Sequence, residues 1–351
     1  MSEKVALVIG ASGMVGGNLA SHIAGLSGWR AFGVSRKPPA GPKRFEHISF
    51  DLLNVDQCDA ALANHPEITH VFVAARTQGA TSEQEERNNI VLLANLVDTL
   101  EKTAPKLRHI HVVHGTKWYG AHLPNTSPPF REDDARVMPP NPYYGQHDFL
   151  LERQKGRHWT WSTSRPGLVF GYATGYPHNI VCLIGILAAM SRELGTQFRF
   201  PGTEWCFRSL QSATDIGLLC RAIVSISESE HGANTSFNVG NGDVYSWSNL
   251  WPRIAKSFDL ECGYPQKYVL ADYMADKEPV WQRIVEKYGL RDFALKDLVA
   301  WPYGDFHFNK EGSDIASLVK INGIGFHEVS DSEDLFMRVL QQYREEGVLP
   351  R

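Results

Sequence analysis

The sequence predicts an α/β fold, a doubly wound parallel sheet of the Rossmann type joined to a smaller, interleaved C-terminal substrate domain. An apolar run at residues 5–9 ends in glycine, which is typical of a strand covered on both faces. Similar runs recur at residues 31–34, 71–74 and 110–113 with helix-like segments between them, and this alternation indicates βαβ units. After about residue 171 the chain becomes richer in Trp, Pro and Gly and alternates less regularly, which indicates a second unit.

Further elements follow from the same patterns. We expect a helix after the first strand through about residue 23, a helix at 89–100 and a third strand that ends at about Asp51. A sixth strand is predicted at 159–162 and a further one at 236–239, entered from a helix at 214–224. The Rossmann domain is therefore placed at residues 1–170 with a return segment at about 208–240, and the substrate-binding domain at 171–207 and 241–351.

Composition restricts the classes of function. The net charge of the 351 residues is −4, so no strongly basic face for nucleic acid is expected. The five cysteines are scattered without a C-x-x-C pair, which favours neither zinc nor disulfides and fits a reducing cytoplasm. No secretory signal is recognised at the N-terminus, and the longest apolar stretch, 180–190, is too short to cross a bilayer. A monomer and a homodimer both remain open.

A glycine motif follows the first strand. Gly10 permits a tight turn, Gly13 lets the backbone approach a pyrophosphate, and Gly16 allows close packing of helix and strand. The amides at the start of the next helix then meet the phosphates, favoured by the helix dipole. The intervening residues of the motif, Ser12, Met14 and Val15, are expected to contact the same dinucleotide.

The end of the second strand points to NADP rather than NAD. An acid normally stands there to bind the adenosine ribose of NAD, but this chain has Ser35, Arg36 and Lys37. Arg36 can pair with a 2′-phosphate and stack on adenine. Asp51 is expected to accept a hydrogen bond from the adenine amino group. The other expected cofactor contacts are Leu52, Ala74, Ala75, Arg76, Asn89, Gly115, Pro166 and Val169.

The usual catalytic pair of short-chain dehydrogenases, Y-x-x-x-K, has one literal match, Tyr273 with Lys277. It lies far from any strand that would aim it at a nicotinamide, so we reject it. The helix expected to carry the pair begins near residue 141, and there Tyr144 is followed four residues later by Asp148. A carboxylate cannot lower the pKa of a phenol as an ammonium does. Lys117, in the loop after the fifth strand, is the natural replacement.

These motifs resemble the progesterone 5β-reductase/iridoid synthase family, which consists of atypical extended short-chain dehydrogenases that reduce activated C=C bonds with NADPH. The family motif T-G-T-K-H-Y is similar to residues 114–119, and N-F-Y-Y-x-x-E-D is similar to residues 141–148. Further likeness continues through 161–171, 237–247, 277–281, 301–305 and 323–326, so the resemblance covers almost the whole chain.

The resemblance implies that Lys117 and the second tyrosine of the other motif, Tyr144, are catalytic. It also implies substrate contacts by Trp118, Tyr143 and Tyr303. Three departures from the family pattern put the substrate's identity in question: Pro142 replaces Phe, His147 replaces Glu, and Tyr303 stands where a pocket-lining Phe is usual.

The expected activity is NADPH-dependent reduction of the C=C bond of enones or enals, with hydride delivered to the β-carbon and the enolate held by Tyr144 and Lys117. Two alternatives stay open. One is a carbonyl reductase or nucleotide-sugar epimerase/dehydratase on the same scaffold, although either normally keeps Y-x-x-x-K. The other is a redox-sensing protein that binds NADP without chemistry. His109, His111 and His114 suggest a metal only weakly, because a covered strand offers no open coordination shell, and we expect none.

Overall fold

The computed structural model describes residues 3–39, 43–124 and 126–351. Seven parallel strands form the main sheet in the order β3-β2-β1-β4-β5-β6-β9, and β7 and β8 form a separate parallel pair. The strands are β1 Lys4–Ile9, β2 Trp29–Val34, β3 Glu46–Ile48, β4 His70–Val73, β5 His109–Val113, β6 Thr160–Pro166, β7 Leu168–Phe170, β8 Ala213–Asp215 and β9 Thr235–Val239.

Helices cover both faces of the sheet and build most of the chain beyond it. They are α1 Met14–Ile23, α2 Val55–Leu62, α3 Ser82–Thr103, α4 Pro142–Arg153, α5 Ile180–Leu194, α6 Glu204–Arg208, α7 Ile216–Glu228, α8 Trp247–Ser257, α9 Leu270–Tyr273, α10 Glu278–Tyr288, α11 Leu295–Leu298, α12 Trp301–Phe308, α13 Val319–Gly323 and α14 Ser332–Glu345. None of the helices in the described part of the chain is long and apolar enough to cross a membrane.

The predicted parallel sheet is confirmed, and so are the strands β1, β2, β4, β5, β6 and β9 to within a few residues. The third strand was placed too late: β3 ends at Ile48, and Asp51 follows it in a loop. The predicted helix at 89–100 is the central part of α3, which begins seven residues earlier because Thr81 caps its N-terminus by accepting a hydrogen bond from Gln84 N.

The strand order reverses between β1 and β4, which pair directly in the centre of the sheet. In an open α/β sheet the ligand crevice lies at such a switch point, outside the carboxyl ends of the strands. The loops after β1, β4, β5 and β6 therefore border the crevice.

Three large apolar clusters form the core. One packs α3 against the sheet, a second packs α1 and α7 against the other face, and the largest surrounds α5. Twelve successive residues of α5, Ile180 to Ser191, are buried, because the helix is apolar on nearly all sides and packs against α10, α12 and α14. Ile321 and Phe326, which the sequence assigned to the substrate-binding domain, belong to the cluster around α1 and α7.

Candidate active site

The glycine turn after β1 has the shape that a pyrophosphate needs. Gly10 has φ +90°, and a Cβ there would lie 3.0 Å from the backbone of Ala74 and Ala75. A Cβ at Gly16 would lie 2.3 Å from the carbonyl oxygen of Gly10, so helix and turn approach too closely for a side chain. Gly13 stands at the N-cap of α1 without a side-chain hydrogen bond to the helix. The first amides of α1 are thus available to an anion.

The end of β2 carries two exposed cations. Ser35 is buried and donates to the carbonyl oxygen of Lys37 at 2.7 Å, which fixes the turn. The side chain of Arg36 is exposed, and its carbonyl oxygen accepts from Ser49 Oγ at 2.9 Å. Neither Arg36 nor Lys37 takes part in a salt bridge with the residues described, so both charges remain available to a phosphate.

Asp51 and Asn89 lie beside the crevice with some of their bonding capacity already used. Asp51 Oδ1 accepts from Leu53 N at 3.0 Å, which leaves its other carboxylate oxygen for a ligand. Asn89 is fully buried, donates to the carbonyl oxygens of Thr77 and Glu85 at 2.7 Å each, and accepts from Thr77 N at 3.1 Å. The amide of Asn89 therefore holds the segment after β4, which carries Arg76, in place.

Lys117 lies in a short 3₁₀ turn, Thr116–Tyr119, that follows β5 and Gly115. Asn141, the N-cap of α4, donates to the carbonyl oxygen of Lys117 at 3.0 Å and accepts from Tyr143 N at 3.1 Å, so one side chain joins the lysine turn to α4. Burial lowers the pKa of Lys117; the charge of Arg76 lowers it further, while Glu85 opposes both. Lys117 makes no salt bridge within the described residues.

Tyr143 brings its hydroxyl to the carboxyl edge of the sheet. A Cβ on Gly115, just beyond β5, would lie 3.4 Å from the Tyr143 hydroxyl oxygen and 3.7 Å from the carbonyl oxygen of Pro166, the last residue of β6. Arg76, after β4, interacts with the same hydroxyl. Burial acts to lower the pKa of Arg76, but the influence of Tyr143 and Glu85 outweighs it and the pKa is raised. Tyr143 and Lys117 therefore border the same part of the crevice.

Tyr144, which the sequence led us to expect as a catalytic residue, has a side chain that does not face the crevice. Its side chain is 3% exposed, and its hydroxyl donates to the carbonyl oxygen of Trp118 at 2.6 Å and accepts from Val137 N at 2.9 Å. Consecutive residues of a helix point about 100° apart, so only one of two adjacent tyrosines can meet the cofactor. The buried hydroxyl of Tyr144 ties α4 to the lysine turn.

Tyr143 is the outer member of a stack of flat side chains. Its ring lies 4.8 Å from that of His114 at an interplanar angle of 26°, and His114 lies 5.8 Å from Trp118 at 13°. The guanidinium of Arg165 lies over the Trp118 ring at 3.7 Å from its centroid. Burial, with a contribution from Arg165, lowers the pKa of His114 well below its usual value, so the imidazole is neutral. Trp118, proposed as a substrate contact, lies behind His114 and is buried.

The position four residues after Tyr143, where a short-chain dehydrogenase has its lysine, is occupied by His147. Its ring contacts the rings of Trp118 and Trp161 edge-on at 5.1 Å each. Burial, together with the charges of Arg165 and Arg136, lowers the pKa of His147 to about 4. His147 is therefore a neutral packing residue at pH 7 and does not replace the missing ammonium.

The wall of the crevice opposite the sheet is aromatic and polar. Tyr176 lies over the glycine turn, where its ring is 3.7 Å from the Cβ position of Gly13. From Tyr176 the ring contacts continue through His178 at 5.7 Å to Tyr303 at 5.5 Å and His307 at 4.4 Å. Of these four, the sequence identified only Tyr303, because the others lie in no recognised motif. Val169, in β7, is half-buried against the α1/α7 cluster.

The literal Y-x-x-x-K match lies away from the sheet edge. Tyr273 ends α9 and is 49% exposed, and Lys277 caps α10 and pairs with Asp276. Both residues come after β9, the last strand of the main sheet in the chain, so neither lies in a loop that follows one of the crevice strands β1, β4, β5 and β6.

Two buried histidines of β5 are bound by hydroxyl groups of β6. His109 contacts Thr160 Oγ1 at 2.8 Å and Ser162 Oγ at 2.7 Å, and His111 contacts Ser162 Oγ at 2.7 Å and Ser164 Oγ at 2.9 Å. These bonds account for all four imidazole nitrogens. Across residues 3–39, 43–124 and 126–351, no cluster of three His, Cys, Asp or Glu side chains is suited to a metal ion.

Comparison with known proteins agrees with this arrangement. A family model described as a PRISE-like Rossmann-fold domain matches residues 49–350. The chain belongs to this family. It is 32% identical over 365 residues to an (S)-8-oxocitronellyl enol synthase from Nepeta cataria, covering 99% of this chain and 94% of that protein. It is 29% identical over 365 residues to a 3-oxo-Delta(4,5)-steroid 5-beta-reductase from Arabidopsis thaliana, with 99% and 94% covered.

Solved structures support the fold. An epimerase from Methanothermobacter thermautotrophicus matches with a TM-score of 0.71 at 13% identity, covering 98% of this chain and 93% of that one. A UDP-glucose 4-epimerase from Thermotoga maritima matches with a TM-score of 0.69 at 14% identity, covering 97% and 99%. The PRISE-like protein is therefore an oxidoreductase with the extended short-chain dehydrogenase fold, and the family resemblance inferred from its motifs is confirmed.

Proposed function

We propose that this PRISE-like protein uses NADPH to reduce the C=C bond of α,β-unsaturated carbonyl compounds. The observation that carries the proposal is the placement of Tyr143 and Lys117 at the carboxyl edge of β5 and β6, with no ammonium one helical turn after the tyrosine. The named relatives support it, since one is a 3-oxo-Delta(4,5)-steroid 5-beta-reductase. Tyr143 replaces Tyr144 in the mechanism for the geometric reasons given above.

The residues present fit a dinucleotide with a 2′-phosphate. The turn at Gly10 and Gly16 leaves no room for a Cβ, the first amides of α1 are uncapped, and Arg36 is exposed and makes no ion pair with any residue that the structure describes. We assign the pyrophosphate to the start of α1 and the 2′-phosphate to Arg36, with Ser35 and Lys37 beside it. When bound, NADPH supplies a hydride to the β-carbon of the substrate.

The protein's own contribution is to stabilise the negative charge that develops on the carbonyl oxygen. The Tyr143 hydroxyl donates a hydrogen bond to this oxygen, and the ammonium of Lys117 adds a positive charge. A preorganised donor of this kind lowers the barrier by about 3–4 kcal/mol. The α-carbon then takes its proton from water, so Tyr143 does not need to lose its own.

The arrangement suits conjugate reduction better than carbonyl reduction. An alkoxide must receive a proton within the active site, and the usual relay runs through a lysine on the helix of the tyrosine. In this chain that position is held by His147, which is neutral and packed between two tryptophans. Oxyanion binding by Tyr143 and Lys117 remains possible without the relay.

The position of the transferred hydride tests the proposal. The protein is given NADPH deuterated at C4 and a simple cyclic or linear enone, and the product is examined by NMR. We expect deuterium on the β-carbon of a saturated ketone. Deuterium on the carbinol carbon of an allylic alcohol would show a carbonyl reductase instead. A reaction mixture without protein serves as the control for uncatalysed transfer.

A further inference from the structure

A cation lies beside the Tyr143 hydroxyl although the helix of the tyrosine does not supply one. One turn after Tyr143 stands His147, which is neutral at pH 7. Arg76, in the segment that follows β4, has its guanidinium within hydrogen-bonding reach of the Tyr143 hydroxyl. The charge that a short-chain dehydrogenase obtains from its helical lysine is therefore present here, on a different element of the fold.

The backbone on both sides of Arg76 is fixed. Ala75 lies against the glycine turn, since a Cβ at Gly10 would lie 3.0 Å from the Ala75 nitrogen. Thr77 is bonded through its N–H and its carbonyl group to the buried side chain of Asn89, at 3.1 and 2.7 Å. Arg76 is thus held at the carboxyl edge of the sheet by contacts that do not involve its own side chain.

Glu85 orients the guanidinium. It lies in the first turn of α3, its side chain is 15% exposed, and its Oε1 is 3.3 Å from Arg76 Nε. The loop before it packs closely on the helix, because a Cβ at Gly79 would lie 2.3 Å from the Glu85 nitrogen. With Nε directed at Glu85, the terminal N–H groups of Arg76 remain for the phenol.

A guanidinium determines the direction of each hydrogen bond that it makes. Arginine has N–H donors and no acceptor, so in the contact with Arg76 the oxygen of Tyr143 has to accept. The single proton of the phenol then points away from Arg76 and is free for the carbonyl oxygen of a substrate. Without this partner the hydroxyl rotates, and its lone pairs face the substrate for part of the time.

We propose that Arg76, held by Glu85, is a positioning residue that takes the place of the missing helical lysine. It donates a hydrogen bond to the Tyr143 oxygen and thereby directs the phenol proton at the developing oxyanion. This inference rests on the proposed function, in which Tyr143 binds that oxyanion. Arg76 acts through Tyr143, whereas Lys117 acts on the oxyanion by its own charge.

An indirect effect of Arg76 through Lys117 would have the opposite sign. Burial lowers the pKa of Lys117, and while Glu85 raises it, the charge of Arg76 lowers it further. Removal of Arg76 therefore favours the charged form of Lys117, which is the form that stabilises the oxyanion. A fall in kcat after the loss of Arg76 has to arise by another route.

The test is a double-mutant cycle in kcat for enone reduction, made from Arg76→Met and Tyr143→Phe. Arg76→Met alone should lower kcat by about 10–100-fold, through loss of a charge-assisted hydrogen bond, and leave the KM for the enone within about threefold of its wild-type value. In the Tyr143→Phe background the same substitution should lower kcat by less than about threefold, because the hydroxyl through which it acts is absent. Arg87→Met, at an exposed arginine of α3 paired with Glu83 at 3.0 Å, is the matched control and should behave as wild type.

The loss of Arg76 leaves the Glu85 carboxylate without its partner, so the melting temperature of each variant is measured as well. Arg76→Met combined with Glu85→Gln removes both charges and should show the same fall in kcat with a melting temperature near that of the wild type. Equal losses from Arg76→Met in the presence and absence of the Tyr143 hydroxyl would overturn the inference. So would a loss confined to a raised dissociation constant for NADP⁺, which would place Arg76 at the cofactor.

A second readout requires no turnover. The anion of 4-nitrophenol is a planar, conjugated oxyanion, and its binding to the protein saturated with NADP⁺ can be followed by its visible absorbance. Arg76→Met should weaken this binding by about tenfold when Tyr143 is present and leave it unchanged in Tyr143→Phe. That coupling without reduction of any enone would refute the proposed reaction but not the role of Arg76. Reduction of enones without the coupling would refute the role of Arg76 alone.

Discussion

Replacement of each adjacent tyrosine by phenylalanine should separate catalysis from stability. Tyr143→Phe removes the hydroxyl beside Gly115 that we assign to the developing oxyanion. Removing one such donor costs about 3–4 kcal/mol of transition-state stabilisation, so kcat should fall by about 10²–10³. The ring and its stack on His114 remain, and the melting temperature should stay near that of the wild type.

Tyr144→Phe should have the opposite profile. The lost hydroxyl joins Trp118 O at 2.6 Å and Val137 N at 2.9 Å, and its removal leaves two backbone groups without partners in a buried place. Leaving buried groups unpaired costs about 1–3 kcal/mol of folding free energy. The melting temperature should therefore fall by a few degrees while kcat changes by less than about fivefold.

The assays are steady-state reduction of an enone with NADPH and thermal unfolding followed by circular dichroism. Both variants are measured at a temperature well below the transition of the weaker one. A hundredfold loss of kcat in Tyr144→Phe at an unchanged melting temperature, with Tyr143→Phe near wild type, would refute the assignment and restore Tyr144 as the catalytic residue.

Four other substitutions test the rest of the site, a control position and a buried histidine. Arg36→Ala should raise the KM for NADPH by about 10–100-fold through loss of a charge-assisted hydrogen bond, with the KM for NADH nearly unchanged; equal weakening of both would remove Arg36 from the phosphate site. Lys117→Ala should lower kcat by about 10²-fold. Lys277→Ala, at a residue paired with Asp276, should leave kcat unaltered. The reverse result would contradict the assignment of Lys117 to the active site. Burial lowers the pKa of His111 from 6.5 to about 3 in the folded protein. Between about pH 6.5 and pH 3 this histidine is therefore protonated in the unfolded chain but neutral in the folded one. The free energy of unfolding should consequently fall as the pH drops from 6.5 towards 3. His111→Gln should lose about 2 kcal/mol less between pH 7 and 5 in denaturant titrations, and an unchanged slope would show that His111 already titrates normally in the folded protein.

Local patterns were sufficient to predict the sheet and the glycine turn after β1. A buried strand followed by glycines, such as residues 4–16, depends on contacts within a few residues and on the need to cover both faces. The position of β3 was less clear, because the strand has only three residues and lies at the edge of the sheet. Hydrophobic pattern alone does not distinguish such an edge strand from the loop beyond it.

The tyrosine was harder to assign, since Tyr143 and Tyr144 have the same chemistry and adjacent positions. The choice depends on the rotation of α4, which is fixed by distant contacts: Asn141 binds the carbonyl oxygen of Lys117, and Tyr144 binds that of Trp118. The residue four positions after Tyr143, where the lysine of a short-chain dehydrogenase is expected, is His147. The burial of His147 depends on its contact with Trp161 of β6, which is distant in sequence. The wall residues Tyr176, His178 and His307 likewise meet only in three dimensions.

The stack of Tyr143, His114, Trp118 and Arg165 has a consequence for protein engineering. Each side chain of the stack packs against the ring of the next. If the residue of a related protein is introduced at one position only, it leaves a cavity or a steric clash at the neighbouring position. The energies of such neighbours do not add, and exchanges at His114 and Trp118 should be made together and evaluated as a double-mutant cycle. Libraries that vary these two positions independently will mostly contain variants with impaired activity. Paired exchanges at the two positions can instead reorient the phenol of Tyr143 while Tyr143 itself is kept.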